Sequence, residues 1–117
     1  MKTHKDLDVW KLSRAFVSDV YKVTLDFPKS EIYGLTNQIR RSAVSIPSNI
    51  AEGSARQGNK EFIRFLYIAL GSLAELETQL LIAIDLNYLK EDKEFFKKLK
   101  RIRMMLLGLI KSIKRKT

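Results

Sequence analysis

The apolar residues of this chain recur at steps of three and four along almost its whole length, and no segment keeps the strict alternation of a half-buried strand. An α-helix has about 3.6 residues per turn, so this spacing places the apolar side chains on one face of a helix. The pattern therefore predicts an all-α protein.

Three breaks divide this pattern into four helical segments. The breaks are Pro28, the turn between Gly53 and Gly58, and Asn87–Tyr88. The predicted N-caps, in chain order, are Asp6 or Asp8, then Ser30 and Asn59, and we expect the fourth helix to start around Asp92. Four long helices with short connections are typical of an antiparallel up-and-down four-helix bundle, which we expect to form one domain over residues 1–117.

The predicted core stripes differ in width from helix to helix. In the second helix the stripe is Ile32, Leu35, Ile39, Ala43, Ile46 and Ile50. In the fourth helix it is Phe95, Leu99, Ile102, Leu106, Leu109 and Ile113. The third helix carries two adjacent stripes, and a helix that is apolar over so wide an arc needs neighbours on more than one side.

Pro47 lies inside the second helical segment. Proline lacks a backbone N–H and its ring clashes with the carbonyl four residues earlier, so we expect a kink at this point. The kink either shapes a pocket or a subunit contact, or lets the helix wrap around the bundle. A break into two short helices is the other outcome that the sequence allows.

The positive charge is concentrated in the last quarter of the chain. Residues 90–117 hold eleven Lys and Arg against three acidic residues, a net charge of +8 out of +9 for the whole chain. Such asymmetry indicates a polyanionic partner, either nucleic acid or an anionic membrane surface. The alternative is a solvated helix face that keeps the protein soluble.

On a helical wheel Lys97, Lys100, Arg101, Lys111 and Arg115 share one arc, which lies opposite the core stripe of the fourth helix. The predicted nucleic-acid-binding residues are Lys97, Lys100, Arg101, Lys111, Lys114, Arg115 and Lys116. No aromatic residue interrupts this cluster, so we expect phosphate contacts rather than base stacking. An apolar patch within the arc predicts a subunit contact at Met104, Leu107 and Gly108. Binding to lipid ranks last, because the apolar stripe of this helix is needed to complete the core.

Several kinds of chemistry are excluded by composition. The chain has no Cys and one His, His4, and its glycines match neither a P-loop nor a dinucleotide-binding motif, so we expect no enzyme activity, metal or cofactor. It has neither a signal peptide nor an uninterrupted apolar run long enough to span a membrane, which favours the cytoplasm. Glu75, in the apolar third helix, is predicted to pair with Arg40 or Arg41, fixing the helix register or a subunit contact rather than acting in catalysis.

Several segments resemble a known protein family. They are Leu7–Trp10, Val20–Pro28, Tyr33–Leu35, Gln38–Gly53, Glu61–Leu66 and Ala69–Leu80. Together they are similar to the four-helix-bundle proteins encoded in intervening sequences of bacterial 23S rRNA genes, and to the accessory variability determinants of diversity-generating retroelements. The resemblance covers about residues 7–89, and the stretch from Arg40 to Gly53 is its most specific part.

The resemblance implies a ring-shaped homopentamer with a positively charged surface and no catalytic activity of its own. It offers no nucleotide-contacting motif to transfer, so the binding residues above rest on charge alone. The leading hypothesis is a non-enzymatic basic oligomer that binds RNA or DNA through phosphates. The alternative is an interaction scaffold, or an accessory subunit for a partner such as a reverse transcriptase.

Overall fold

The computed structural model describes residues 3–117, in which the regular structure is entirely helical and contains no strand. The four α-helices are α1 (Asp8–Val23), α2 (Leu35–Ser54), α3 (Asn59–Asp85) and α4 (Lys93–Arg115). Two short 3-10 helices, His4–Asp6 and Lys29–Glu31, precede α1 and α2. The prediction of an all-α chain with four long helices is confirmed.

The four helices enclose one apolar core. α2 packs against α1 and α3, and α4 packs against α3 and α1. α2 and α3 run in opposite directions, because Ser42 contacts Gln79 whereas Ser45, one turn later in α2, contacts Ser72, two turns earlier in α3. The molecule is elongated along the helices, with extents of 46 × 26 × 19 Å.

Both ends of α1 differ from the prediction. Its N-cap is Leu7, which offers no side-chain cap, whereas Asp8 is the first helical residue and Asp6 belongs to the preceding 3-10 helix. At the other end the helix closes with Thr24 as C-cap, before Pro28 is reached. The Thr24 hydroxyl donates to the Val20 carbonyl at 2.9 Å, so a backbone acceptor of the last turn is satisfied without continuing the helix.

The start of α2 is also later than predicted. Ser30 lies within the short 3-10 helix and is not an N-cap, and α2 begins at Leu35. The Glu31 carboxylate caps the helix instead, because Oε1 accepts a hydrogen bond from the Leu35 backbone N–H at 3.2 Å. As a consequence Ile32 stands outside the helix and is 52% exposed, so its assignment to the core stripe was wrong.

Pro47 is buried within a single uninterrupted helix, so α2 is not broken into two. The nearby Asn49 amide donates to the Ser45 carbonyl at 2.8 Å and to the Ser45 hydroxyl at 2.9 Å. The Ser45 and Ser72 hydroxyls lie 2.7 Å apart across the α2–α3 boundary. Polar side chains therefore supply local hydrogen bonds around the proline, and the kink itself stays a prediction.

Two glycines shape the connection between α2 and α3. A Cβ added at Gly53 would lie 2.6 Å from the Phe65 Cβ, so glycine is needed for the close approach of the two helices. Gly58 has φ = 89°, a conformation that L-residues rarely adopt, and it is the N-cap of α3. Asn59, predicted as the cap, is the first residue of the helix.

The start of α4 is confirmed at Asp92, whose carboxylate accepts hydrogen bonds from the backbone N–H groups of Glu94 at 3.0 Å and Phe95 at 3.3 Å. A carboxylate at this position also interacts favourably with the positive end of the helix dipole. The cap fixes where the helix begins, and with it which residues of α4 face the core.

Candidate nucleic-acid interface

The cations of α4 lie on the side of the helix turned away from the core. Phe95, Leu99, Ile102 and Leu106 are buried, and Ile110 replaces Leu109 as the next fully buried position. From residue 97 to the end of the chain no acidic residue occurs. All seven predicted binding residues are exposed. We call this set the basic face: Lys97, Lys100, Arg101, Lys111, Lys114, Arg115 and Lys116.

Most of the basic face is unpaired in the part of the chain that the structure describes. Lys97 contacts Glu94 at 3.2 Å, but both side chains are well exposed, so water and salt weaken this pair. Lys98, beside the basic face, forms a 2.9 Å ion pair with Asp19 of α1. Lys100 and Arg101 have no carboxylate partner among residues 3–117 and are free to meet an external anion.

The structure brings an aromatic residue from α3 to the basic face, which sequence reasoning missed. The Lys114 ammonium donates to the Tyr67 hydroxyl at 3.0 Å and lies 5.3 Å from the centre of that ring. Tyr67 is 48% exposed. It lines a cleft of about 410 Å³, here called the Tyr67 cleft, whose other residues are Leu107, Ile110, Lys111, Lys114 and Arg115. The expectation of phosphate contacts without base stacking considered α4 alone, and it stays a prediction.

A second depression lies at the opposite end of α4. It has a volume of about 310 Å³ and combines Phe96 with Lys93, Lys97 and Lys100. Glu91 and Asp92 also line it, so its field is less positive than that of the Tyr67 cleft. The two depressions give the basic face two ends of different charge.

The predicted pair between Glu75 and an arginine of α2 does not form within one chain. Arg40 instead donates from Nε to the Thr24 hydroxyl at 2.9 Å and stacks over the Tyr21 ring at 4.5 Å. Arg41 and Glu75 are both exposed, and no ion pair joins them in the described residues. A role for this pair in helix register is therefore unsupported, whereas a pairing between subunits stays a prediction.

Arg40 and Arg41 line the α1–α2 cleft, an open depression of about 580 Å³. Its other lining residues are mostly aromatic, apolar or uncharged polar: Tyr21, Ile32, Tyr33, Thr36, Asn37, Val44 and Ser45. Tyr33 is 93% exposed, and the buried Thr36 hydroxyl has no hydrogen-bond partner. An exposed surface with this composition is typical of a site where another macromolecule docks.

The predicted subunit contact on α4 is accessible to solvent. Met104 is 59% exposed and Leu107 is 44% exposed. A Cβ added at Gly108 would meet nothing within 4 Å, so the surface there is open. Leu107 belongs to the Tyr67 cleft, however, so the three residues do not form one isolated apolar patch.

The outer side of α3 carries almost no charge. Eight residues between positions 67 and 82 are exposed, and one of them, Glu75, is charged. We call this surface the α3 outer face: Tyr67, Ile68, Gly71, Ala74, Glu75, Thr78, Leu81 and Ile82. It shares Tyr67, Ala74 and Leu81 with the second apolar stripe predicted for this helix, whereas the other members of that stripe, Ile63, Leu70 and Ile84, are partly buried.

α3 is also long and apolar enough to cross a membrane by length and composition. Its most apolar 18-residue window has a mean hydropathy of 1.4, although 39% of that window is buried inside the protein. The prediction that no segment spans a membrane rested on the short uninterrupted apolar runs, and it stays a prediction. Core helices of packed proteins pass the same test, and α3 supplies Leu66, Leu73, Leu76 and Leu80 to the core.

The described residues contain no cluster of three His, Asp or Glu side chains arranged to hold a metal ion. A hydrogen bond from Arg64 lowers the pKa of Glu61 and raises that of Arg64, and a hydrogen bond to Glu31 raises the pKa of Tyr88.

The comparison with known families agrees with the resemblance seen in the sequence. A family model described as the 23S rRNA-intervening sequence protein matches residues 5–108, which include the basic face from Lys97 to Arg101 and all of α1, α2 and α3. No curated protein matches the chain. The similarity to accessory proteins of diversity-generating retroelements stays a prediction. The chain therefore belongs to the 23S rRNA-intervening sequence protein family.

Proposed function

We propose that this protein is a non-enzymatic, oligomeric nucleic-acid-binding protein of the cytoplasm, which holds RNA or DNA mainly through phosphates. The observation that carries the proposal is the basic face of α4, an exposed cationic surface without an acidic residue after Glu94. Phosphates bind such a surface by Coulomb attraction and by release of condensed counterions.

The dimensions of the basic face suit several phosphates at once. From Lys97 to Arg115 the helix rises by about 27 Å at about 1.5 Å per residue. Each phosphate that the protein neutralises contributes about 0.9 to the slope of log affinity against log salt for duplex DNA. Contacts by five of the seven cations would therefore give a slope of about −4.5.

The test is a salt series with a labelled structured RNA and a matched DNA duplex, with the mass of the oligomer measured on the same samples. We expect charge reversal in the triple variant Lys97→Glu, Lys100→Glu, Arg101→Glu to abolish binding and to leave the oligomer intact. The matched control is Lys11→Glu, Lys22→Glu, Lys29→Glu, which removes equal charge from exposed positions outside α4.

The two triple variants show whether nucleic acid binds at the basic face or whether binding depends only on the net charge of the protein. Normal binding by the α4 variant would show that the chosen face is wrong. Equal losses in both variants would mean that net charge alone governs binding. Absence of binding at low salt by an intact wild-type oligomer would overturn the proposal and leave the basic face as a solvated surface.

We infer that the four-helix fold assembles as a ring-shaped homopentamer, as the family resemblance implies. The α3 outer face from Ile68 to Ile82 supports assembly, because exposed uncharged helix surfaces of this length are usually covered by a partner. On α4 the proposed contact is Met104 and Gly108, since Leu107 belongs to the Tyr67 cleft. A ring needs two different contact surfaces on each subunit, and the α1–α2 cleft with Arg40 and Arg41 suits the acidic Glu75 of a neighbouring copy.

The second candidate function is a scaffold or accessory subunit for a protein partner such as a reverse transcriptase. The α1–α2 cleft favours it, since Tyr33 and Arg41 are residue types enriched in protein interfaces and both are exposed. A gene for a reverse transcriptase beside this one would favour the scaffold, and a location within an rRNA gene would favour association with RNA. Liposome flotation tests the remaining alternative, binding to anionic lipid.

A further inference from the structure

We propose that the Tyr67 cleft is a binding site for a single unpaired nucleotide of RNA or DNA, with the base stacked on Tyr67 and its phosphate held by Lys111 and Arg115. This inference rests on the proposed function and adds to it a site that distinguishes unpaired from paired nucleic acid. It depends on the meeting of α3 and α4, since Tyr67 and Lys114 are 47 residues apart in the chain.

The position of Lys114 leaves the aromatic ring of Tyr67 accessible to a stacking nucleobase. The Lys114 Nζ is 3.0 Å from the hydroxyl but 5.3 Å from the ring centre, so the ammonium lies towards the hydroxyl end of the ring and not above its middle. Nearly half of the residue is exposed to solvent. The hydrogen bond to Lys114 restrains the ring, so less freedom is lost when a base stacks on it.

The remainder of the cleft provides an apolar wall and a positive rim. Leu107 is 44% exposed beside Tyr67, and Ile110 lies deeper in the core. Lys111 and Arg115 are four residues apart and therefore project from the same side of α4. No acidic residue lines the cleft, in contrast to the depression at the other end of the helix.

These surfaces match a nucleotide better than a simple anion. An anion needs the cations alone, whereas a nucleobase adds a flat apolar face that an exposed tyrosine can cover. In a continuous duplex the base faces are occupied by neighbouring base pairs, so the ring is reached only by a base in a loop, a bulge or a single strand. The cleft adjoins the basic face, so the flanking phosphates would follow the rest of α4.

The test compares two labelled RNA hairpins that differ by one bulged 2-aminopurine, one containing it and the other fully paired. The variants are Tyr67→Leu, which removes the aromatic ring, and Tyr67→Phe, which removes the hydroxyl and keeps the ring. The control is Leu25→Ala, which removes apolar surface at a position that is 72% exposed and lies in the turn after α1, outside every contact proposed above.

We expect the wild-type protein to bind the bulged hairpin more tightly and to quench its 2-aminopurine fluorescence. Loss of one stacked base typically lowers affinity by about five- to 150-fold, so Tyr67→Leu should lose about tenfold on the bulged hairpin and almost nothing on the paired one. Tyr67→Phe should retain the preference and the quenching. Leu25→Ala should behave as the wild-type protein does.

Each other outcome overturns the proposal in a different way. Equal losses on both hairpins would mean that Tyr67 only positions Lys114. A lower oligomer mass in Tyr67→Leu would identify the cleft as a subunit contact, the role predicted for Leu107. If the wild-type protein binds both hairpins equally, the cleft proposal fails and the proposed function stands. If it binds neither, both fail together.

Discussion

The outer faces of α3 and α4 belong to two long neighbouring helices, and their chemistry is opposite. Between positions 97 and 116, nine of the twelve exposed residues are Lys or Arg. Between positions 67 and 82, one of the eight exposed residues is charged. Both helices bury a similar apolar stripe against the same core, so the fold requires neither outer face to be as it is.

The contrast between the outer faces of α3 and α4 indicates two different kinds of binding partner. A cationic face is well hydrated and does not need a partner, but it attracts polyanions over a range set by salt. An uncharged face with small residues such as Gly71 and Ala74 gains little from water and allows another helix to approach closely. α4 is therefore suited to reversible electrostatic binding, and α3 to a permanent contact between protein chains.

The largest effect on assembly should come from placing a positive charge, as on α4, in the α3 outer face. We expect Leu81→Lys to reduce the assembled protein to the 13.6 kDa chain, because a lysine within the α3 outer face must be desolvated in any contact made there. Sedimentation equilibrium measures the mass. Circular dichroism should show an unchanged helical fold, since Leu81 is 49% exposed in the single chain.

The same substitution at Leu25 is the control for Leu81→Lys. Leu25 is 72% exposed, more than Leu81, but lies in the turn after α1. Leu25→Lys should leave the mass unchanged. If both variants keep the mass of the wild-type assembly, the α3 outer face is not a subunit contact.

A charge exchange tests whether the one acidic residue of the α3 outer face meets an arginine of a second copy. We expect Arg41→Glu and Glu75→Arg each to weaken assembly by about three- to tenfold, because each places like charges opposite one another. The double variant should restore assembly, since the pair is re-formed with its charges reversed. Lys22→Glu, with the same change of charge elsewhere, should have no effect.

A mixing experiment adds to the charge exchange. The Arg41→Glu variant is negative at both positions 41 and 75, and the Glu75→Arg variant is positive at both. A mixture of the two variants should therefore associate better than either alone. A double variant no better than the weaker single would argue against any contact between Arg41 and Glu75 across subunits. The pair is not formed within a chain, so loss of an intramolecular bridge does not account for such effects.

A smaller effect is expected for the apolar patch on α4. Met104→Lys should weaken assembly by less than Leu81→Lys does, because Met104 already lies among cations and has less apolar surface around it. Analytical ultracentrifugation over a concentration series resolves the difference. An unchanged association constant would remove Met104 from the subunit contact and assign the whole outer face of α4 to nucleic acid.

The prediction for α4 was largely correct, because its apolar and its charged positions indicate the same orientation of the helix. Its core stripe, its start around Asp92 and its charged arc all depend on positions within one helix, where a period of about 3.6 residues fixes which side chains share a face. Ile32 was misplaced for the opposite reason. It continues the spacing of α2, but the 3-10 helix Lys29–Glu31 and the cap by Glu31 shift the start of the helix to Leu35.

The contacts between helices were the part that the sequence did not reveal. The pattern of α3 showed an apolar arc wider than one neighbour can cover, but not which stripe the other helices leave exposed. Tyr67 was assigned to the second apolar stripe of α3. Its position beside Lys114 depends on how α3 and α4 pack, which the sequence pattern does not show. Glu75 was matched with Arg40 or Arg41 by charge, whereas Arg40 is already held by Thr24 and Tyr21.

The smallest effect, a change in thermal stability, is expected in the connection between α3 and α4. The Tyr88 hydroxyl in this connection donates to Glu31 Oε2 at 3.0 Å, and this bond raises the pKa of Tyr88 above its ordinary value of 10.0. Folding therefore favours the protonated phenol. The resulting stability is fully present below about pH 10 and is lost as the pH rises through the higher pKa of the folded state.

We expect Tyr88→Phe to unfold at a slightly lower temperature than the wild-type protein near neutral pH, because the hydrogen bond to Glu31 is removed. The difference should shrink above pH 10, where the wild-type phenol also loses its proton in the folded state. Thermal unfolding followed by circular dichroism over this range measures it. Equal unfolding temperatures of the two proteins at every pH would show that Tyr88 acts by packing against Phe27, whose ring centre is 5.6 Å away, and not through Glu31, because phenylalanine keeps the ring.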